Sequence, residues 1–533
     1  MTARQRAGAT VGLALAAGAA TAFAHPPFGL LPGLLGYGLL LGLLERADKA
    51  RPLRSAFWRG WLAGSAYFLI GCWWVAEAFL VDAADQGWMA PFAAALLAMG
   101  LGLFWGAAGA LYAWFKPEQP LWKALVFAGA LAAMEWLRGH VLTGFPWDLP
   151  GETWAAGSAP SQAASVLGAY GLTWLTLAAV GAFSVALFGP RTRSSLTCGS
   201  LGVLVVAGLY AFGVHRLAHP APPDPAAPQV RVVQADVPQT LLEDETRFPE
   251  ILSRYLRLTV QPARVRPTIV IWPEGALPDS ANDMMDARSP VGPAVAGALG
   301  PDQLLLIGSY RVLGPASAPQ YRNSLLALRR QDGPEGPTLA LKTFYDKYRL
   351  VPFGEYLPLD SLLGRLGIKK LVHVGDGFSP GPPPAPILAA GAPLVQPLIC
   401  YEALFPGFTR QGAETSGLRA RWIVNVSDDA WFGVTSGPWQ HLNLASYRAI
   451  EEGLPLIRAT PTGVSAVIDA YGRASPDLRL AIGRQGVIDA PLPPALAPTL
   501  YDQFGDRIFA VMLGLSAVSV FPRLRRGAVR LRT

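Results

Sequence analysis

Between Ala9 and Leu44 the chain carries no Asp, Glu, Lys or Arg, and its only interruption is the turn-forming His25-Pro26-Pro27. Such a stretch is long enough for two bilayer crossings, because one crossing takes about 20 apolar residues. Five further apolar runs follow, near residues 60 to 81, 88 to 115, 121 to 138, 163 to 189 and 194 to 214. Seven spans are therefore predicted before any polar domain, and a shorter run from Ile508 to Phe521 adds an eighth. The composition fits this reading, with 51% hydrophobic and only 15% charged residues, where soluble domains carry roughly 25% charged. So many aliphatic and aromatic side chains exclude a disordered chain.

Basic residues alternate between the connecting loops. Arg4 and Arg6 precede the first span, and Arg46, Lys49, Arg51 and Arg54 separate the second from the third. Lys116 and Lys123 flank the next even-numbered turn, and Arg191 and Arg193 mark the one after. The loops Asp82 to Gly87 and Gly139 to Gln162 have no Lys or Arg. Lys and Arg in short loops stay cytoplasmic, so seven spans deliver everything after about residue 215 to the outer face. The eighth returns Arg523, Arg525, Arg526, Arg530 and Arg532 to the cytoplasm. The net charge of +7 is accordingly a topology signal. It is not a nucleic-acid footprint, since the aromatic-basic interleaving of single-strand binders is missing. Arg4, Arg6 and Ala22-Phe23-Ala24 also fit a cleavable signal peptide, whose loss would remove one span without redirecting the rest.

The polar middle begins after a Pro/Ala linker, Ala221 to Pro228, and continues to about Pro498. This divides the chain into a seven-span region at 1–219, a globular domain at 220–497, and a last span with a basic tail at 498–533. Within the middle, strand-like runs recur at Val230 to Val233, Thr268 to Trp272, Leu304 to Ile307, Ser324 to Leu328, Leu394 to Ile399, Trp422 to Val426 and Val464 to Ile468. Helix-capable stretches such as Arg247 to Val260 and Gln440 to Glu452 lie between them, so a mixed α/β domain with a buried sheet is predicted.

Three of these segments end in groups that a buried sheet does not need. Thr268-Ile-Val-Ile-Trp-Pro-Glu274 stops at a carboxylate and Leu398-Ile-Cys-Tyr-Glu402 at a thiol, while Tyr345-Asp-Lys-Tyr-Arg-Leu-Val-Pro-Phe-Gly-Glu355 sets a lysine eight positions ahead of a glutamate. Ligands of open α/β sheets bind beyond the carboxyl ends of strands, where such groups converge. A thiol nucleophile needs a base and a cation or donor for the developing oxyanion. Glu274 fits the base, Cys400 the nucleophile and Lys347 the cation, with the Tyr401 backbone N–H as second oxyanion donor. Three cysteines in 533 residues cannot form a disulfide scaffold, and Cys72 and Cys198 sit in apolar runs, which leaves Cys400 as the thiol in a polar context.

The W-P-E, D-K-x-x-L-V-P-F-G-E and C-Y-E segments, in this order, resemble the Glu-Lys-Cys site of the nitrilase superfamily. Attached to seven preceding spans, they resemble its membrane-embedded branch, the apolipoprotein N-acyltransferases. Glu135-Trp-Leu-Arg138-Gly and Gly144-Phe-Pro-Trp147 are similar to that branch's membrane region. The resemblance implies a multi-pass helical domain joined to an α-β-β-α sandwich. It gives Glu274, Lys347 and Cys400 the catalytic roles and makes Glu355 and Glu402 accessory carboxylates, Glu355 orienting Lys347 and Glu402 lining the pocket entrance. Either glutamate also fits a structural ion-pair partner. Asn425, Asp428 and Trp431 fit the family's segment near the pocket, Trp431 as a lipid contact or a core tryptophan.

The implied reaction moves an acyl chain from a phospholipid, phosphatidylethanolamine, to Cys400 as a thioester. The α-amine of a diacylglyceryl-cysteine apolipoprotein then takes it, with no metal or organic cofactor. The implied location is the bacterial inner membrane, with the site on the periplasmic face. The chain departs from the family where V-Q-G-N followed by Lys-Trp is replaced by Val233-Gln-Ala-Asp236 and Leu242-Glu243, so a lipid-facing tryptophan is missing. It departs again at Pro461, where a polar residue is expected. Glu77, Glu135 and Arg138 are predicted inside spans, the last two as an i, i+3 pair. Rival readings are a tethered amidase, a cysteine-histidine hydrolase using His441 or His373, and a transporter with an outer binding domain.

Overall fold

A computed structural model describes residues 2–334, 336–358, 377–389 and 391–518. His373 and the basic tail lie outside the described residues. Two compact units form, one from Met1–Ala76, Trp88–Pro220 and the residues from Thr499, the other from Glu77–Gly87 and Ala221–Pro498.

In the first unit all eight apolar segments are helical: α1 (Ala3–Ala24), α2 (Leu35–Glu45), α3 (Pro52–Gly71), α4 (Ala90–Phe115), α5 (Pro120–Arg138), α6 (Ala164–Phe188), α7 (Arg193–Leu217) and a C-terminal helix, Arg507–Val518. Five are long and apolar enough to cross a membrane, and a sixth forms if α3 and the bent turn Trp73–Phe79 count as one span. The remaining two are shorter. Pro32 diverts the chain into a 3-10 turn at Leu31–Leu34, which leaves α2 only 11 residues, and the C-terminal helix is described over 12. The third segment also ends early. The chain leaves α3 at Gly71 and bends by 53° into the 3-10 turn Trp73–Phe79, which carries Glu77.

Small residues let these helices approach closely. A Cβ at Gly60 of α3 would stand 2.2 Å from the Trp105 carbonyl oxygen of α4, so only glycine fits this crossing. A buried ion pair in this unit is bonded within the protein. Glu135 and Arg138 are fully buried and paired as predicted, with Arg138 Nε 2.9 Å from Glu135 Oε2. Trp105 Nε1 donates to the other carboxylate oxygen at 2.6 Å. This satisfies the demand that an ionisable group at membrane depth be bonded within the protein.

The second unit contains two sheets. The first runs β11-β1-β2-β3-β4-β5, from β1 (Gln229–Gln234), β2 (Ile269–Trp272), β3 (Leu304–Leu313), β4 (Gln320–Gly333), β5 (Gly336–Asp346) and β11 (Gly486–Pro491). The second runs β10-β9-β8-β7-β6, from β6 (Val395–Ile399), β7 (Trp422–Val426), β8 (Leu456–Ala459), β9 (Ser465–Ile468) and β10 (Arg479–Leu480). Alternation along each strand builds both faces. Val230, Val232, Ile269, Ile271, Leu304 and Leu306 pack against Val395, Ile399, Val424, Val426 and Ile457 of the other sheet. The opposite face of the first sheet, with Val270, Trp272, Leu305 and Ile307, is covered by α8 (Phe248–Thr259) and α9 (Val291–Ala298). The outer layer of the second sheet holds α10 (Phe408–Ser416) and α11 (Gly437–Glu452), where Gly412 of α10 leaves room for the Gln396 side chain of β6. The result is the α-β-β-α sandwich expected. Strands β1, β2 and β3 are parallel neighbours, and so are β6, β7 and β8, so their carboxyl ends gather the polar residues that follow.

Candidate active site

Each site residue stands just beyond a strand. Glu274 follows β2, Lys347 follows β5, Cys400 follows β6 and Asp428 follows β7. The Lys347 backbone is pinned by its N–H to the Asn323 carbonyl at 2.8 Å. Its ammonium, 1% exposed, donates to Glu274 Oε1 at 3.2 Å and to Glu355 Oε1 at 2.9 Å. Burial opposes this charge, but the two carboxylates, Glu274 first, outweigh it and hold the amine above its ordinary range. Glu355 is fixed by the Val351 N–H on Oε2 at 2.8 Å, within the turn that the Pro-Phe-Gly sequence makes. The Asp428 N–H donates to Glu274 Oε2 at 2.7 Å.

Cys400 opens a 3-10 helix, Cys400–Leu404, with φ +48°. A side chain at such a φ is strained, and the sharp turn lifts the thiol off the end of β6. Burial pushes the thiol up and the nearby Glu274 carboxylate pushes it further, with Lys347 and the Ser427 hydroxyl only partly opposing them. The resting group is a thiol, and a carboxylate base stands in its field.

Glu402 is placed differently from the expectation that it lines the pocket entrance. It is fully buried. One oxygen accepts from Tyr345 Oη (2.9 Å), Tyr348 N (2.8 Å) and Arg349 N (3.1 Å), and the other from Ile399 N (2.8 Å). It therefore ties the segment bearing Lys347 to the turn bearing Cys400. Burial raises its carboxyl to about 7 despite these donors. Asn425 is likewise buried, its Nδ2 on the Leu398 carbonyl at 2.9 Å and its Oδ1 on Arg458. It joins β7 to β6 and β8 through both ends of its amide. Trp431, by contrast, is 38% exposed beside Asp428, which removes the core reading. Tyr401 is buried, its ring edge-on to Phe405 at 5.1 Å.

His441 does not offer its Nδ1 to the thiol. That atom lies 3.0 Å from Asp429 Oδ1, and Arg458 Nη2 donates to both Asp429 oxygens at 2.8 and 2.6 Å. Sequence reasoning passed over Asn323, which contacts both site glutamates. Its signal was a polar pair, Asn323-Ser324, at the head of the apolar run of β4. Among the described residues no cluster of His, Cys, Asp and Glu suits a metal ion.

Residues 229–495, half of the chain, match the carbon-nitrogen hydrolase family, and the second unit is a domain of that class. Residues 17–182 match the N-terminal domain of apolipoprotein N-acyltransferases. The apolipoprotein N-acyltransferase of Caulobacter vibrioides is 54% identical, over 99% of this chain and 97% of that protein. That of Allorhizobium ampelinum is 37% identical, over 96% and 95%. The chain belongs to the apolipoprotein N-acyltransferase family. Among solved structures, an amidase of Nesterenkonia from the nitrilase superfamily aligns with a TM-score of 0.33 at 18% identity, covering 51% of this chain and 94% of that one.

Proposed function

We propose that the protein moves an acyl chain from a membrane phospholipid to Cys400, and from Cys400 to the α-amine of a diacylglyceryl-cysteine apolipoprotein. The observation that carries this reading is the Lys347 ammonium held between Glu274 and Glu355, with the half-buried Cys400 thiol in its field. Glu274 takes the thiol proton as Sγ attacks the ester carbonyl. Lys347 and the Tyr401 N–H receive the developing oxyanion. Collapse expels the lysophospholipid alkoxide, which leaves with the proton held by Glu274. In the second half the acceptor amine attacks the thioester, Glu274 removes its proton, and the returning thiolate is reprotonated. Trp431 is the lipid contact at this site. Phosphatidylethanolamine is the donor that the resemblance implies, and the site faces the periplasm from the inner membrane.

Intact-mass measurement after incubation with phosphatidylethanolamine tests the reading. An acyl adduct that hydroxylamine removes, absent from Cys400→Ala, is the expected result. If turnover leaves no adduct on Cys400, the phospholipid is not the donor and hydrolysis of a small amide takes its place.

A further inference from the structure

The helical unit bears a recess on its apolar outer surface. Ala107, Ala110, Leu111 and Trp114 recur at i, i+3, i+4 and i+7, so they share one face of the last turns of α4. Leu53 and Phe57, one turn apart at the start of α3, stand beside them. Together they line a groove of about 410 Å³, within the roughly 300 to 1,000 Å³ of ligand clefts. The two alanines leave it recessed between larger side chains. Its α3 wall is fixed, because the Phe57 ring is seated on Gly106 of α4, where a Cβ would stand 2.9 Å from Cε2. Trp114, 68% exposed in the final turn of α4, has the amphipathic ring that settles at headgroup level.

The groove lies where α3 begins and α4 ends, and that end of the unit is basic. Residues 45–59 and 116–123 hold seven Lys and Arg against three Asp and Glu. Several of these are engaged locally. Glu45 pairs with Lys123, Lys116 Nζ lies 2.9 Å from the Glu45 carbonyl oxygen, and Asp48 Oδ1 accepts the Ala50 N–H at 3.0 Å. Arg51 and Arg54, at the N-cap and in the first turn of α3, are exposed and hold no ion pair among the described residues. Arg54 directly follows Leu53 of the groove. Uncompensated guanidinium groups beside an apolar recess complement an amphiphile with a hydrocarbon tail and a net negative head.

We propose that this groove is a binding site for an anionic phospholipid, its acyl chain lying between Phe57 and Trp114 and its phosphate meeting Arg51 and Arg54. A guanidinium fork suits a phosphate because it offers two parallel N–H donors. Basic pockets between membrane helices take anionic headgroups in this way, each Lys or Arg giving roughly a fivefold preference. A phosphatidylethanolamine headgroup carries its own ammonium beside its phosphate, whereas phosphatidylglycerol has no cation and turns to the protein for one. The lipid is a resident and not a donor, since Glu274, Lys347 and Cys400 all belong to the other unit.

The test places full-length protein in phosphatidylcholine vesicles with a trace of phosphatidylglycerol or phosphatidylethanolamine. Each trace lipid carries a diazirine on an ether-linked chain, which cannot be transferred. After irradiation, peptide mass spectrometry maps the adducts. They are expected on the segments holding Leu53 and Phe57 and Ala107 to Trp114, with phosphatidylglycerol labelling at least about fivefold above phosphatidylethanolamine. Replacing both arginines, Arg51→Ala with Arg54→Ala, should bring the two lipids to equal yield with an unchanged thermal transition. Ala110→Trp fills the recess and should remove labelling of both segments by either lipid. If Ala110→Trp does not fold, the arginine pair alone decides. Equal labelling by the two lipids in wild type, a phosphatidylglycerol preference that survives loss of both arginines, or label spread evenly over the outer helix faces overturns the proposal.

Discussion

At Cys400 the backbone and the side chain each carry a consequence that can be measured. The φ of +48° costs about 1 to 2 kcal/mol with any side chain but not with glycine. Cys400→Gly is therefore expected to unfold at a higher temperature than Cys400→Ala, both being inactive. The thiol is pushed above the ordinary cysteine range by burial and by Glu274. Less thiolate exists at neutral pH, and iodoacetamide should label the resting protein at least tenfold more slowly than it labels a cysteine peptide, rising with pH. Glu402 gives a further prediction. Its carboxyl titrates at about 7 in the fold against 4.5 as the ordinary value, so the native state holds a proton that the unfolded chain releases. Its contribution is present below pH 4.5 and declines as pH rises through 7. The thermal midpoint of Glu402→Gln should lose that decline, while Glu402→Ala strands buried backbone donors at a cost of about 3 kcal/mol. Glu274 and Cys400 were legible in the sequence because each closes an apolar run with a group that packing does not use, and Lys347 and Glu355 because they stand eight positions apart around a Pro-Phe-Gly turn. Asp236 and Thr462 were not. They lie in the two segments where the chain departs from the family pattern, and the structure brings them together, Thr462 Oγ1 donating to Asp236 Oδ1 at 2.9 Å. Nothing in two segments 226 positions apart announces such a pairing.

Strands β7 and β8 and helix α11 are locked by a buried ionic group. Arg458 on β8 holds Asp429, whose carboxyl drops to about 2 because Arg458 and His441 outweigh the cost of burial. His441 on α11 is pushed down by burial and by Arg458, and stays neutral at physiological pH. Removing the cation leaves a buried carboxylate uncompensated, so Arg458→Ala should lose about 3 to 5 kcal/mol of stability by denaturant titration. The sign with pH follows from the same groups. Asp429 contributes above pH 3.8, and the contribution disappears as pH falls through about 2. His441 adds a penalty below 6.5, where the unfolded imidazole charges and the native one does not. Element legibility follows burial. The runs behind β2 and β3 are continuously apolar, and those behind β1, β6, β7 and β9 are each broken by a single polar residue, Arg231, Gln396, Asn425 and Ser465, whereas β8 is only four residues long with Arg458 inside it, and β5 is a partly exposed edge strand rich in polar side chains. Neither carries the apolar run by which strands are recognised.

For the molecule as a whole, the alternation of basic loops implies that the α/β unit faces outward. A membrane-impermeant maleimide, added to intact spheroplasts at raised pH to favour the thiolate, should reach Cys400 without permeabilisation. Cys72 and Cys198 are buried among helices and should stay unlabelled. Labelling that requires the inner face to be opened would reverse the orientation. One further feature bears on how the chain is made. β1 is paired antiparallel with β11, so the first strand of the α/β unit has its neighbour at the far end of the unit. Arg231 on β1 takes Asp489, 258 positions later, as its bidentate partner. At roughly 5 to 20 residues per second of synthesis, β1 waits about 10 to 50 seconds for the strand that completes its edge. Throughout that interval β1 keeps one edge without its partner strand, and an unpaired edge is a template on which another chain can pair.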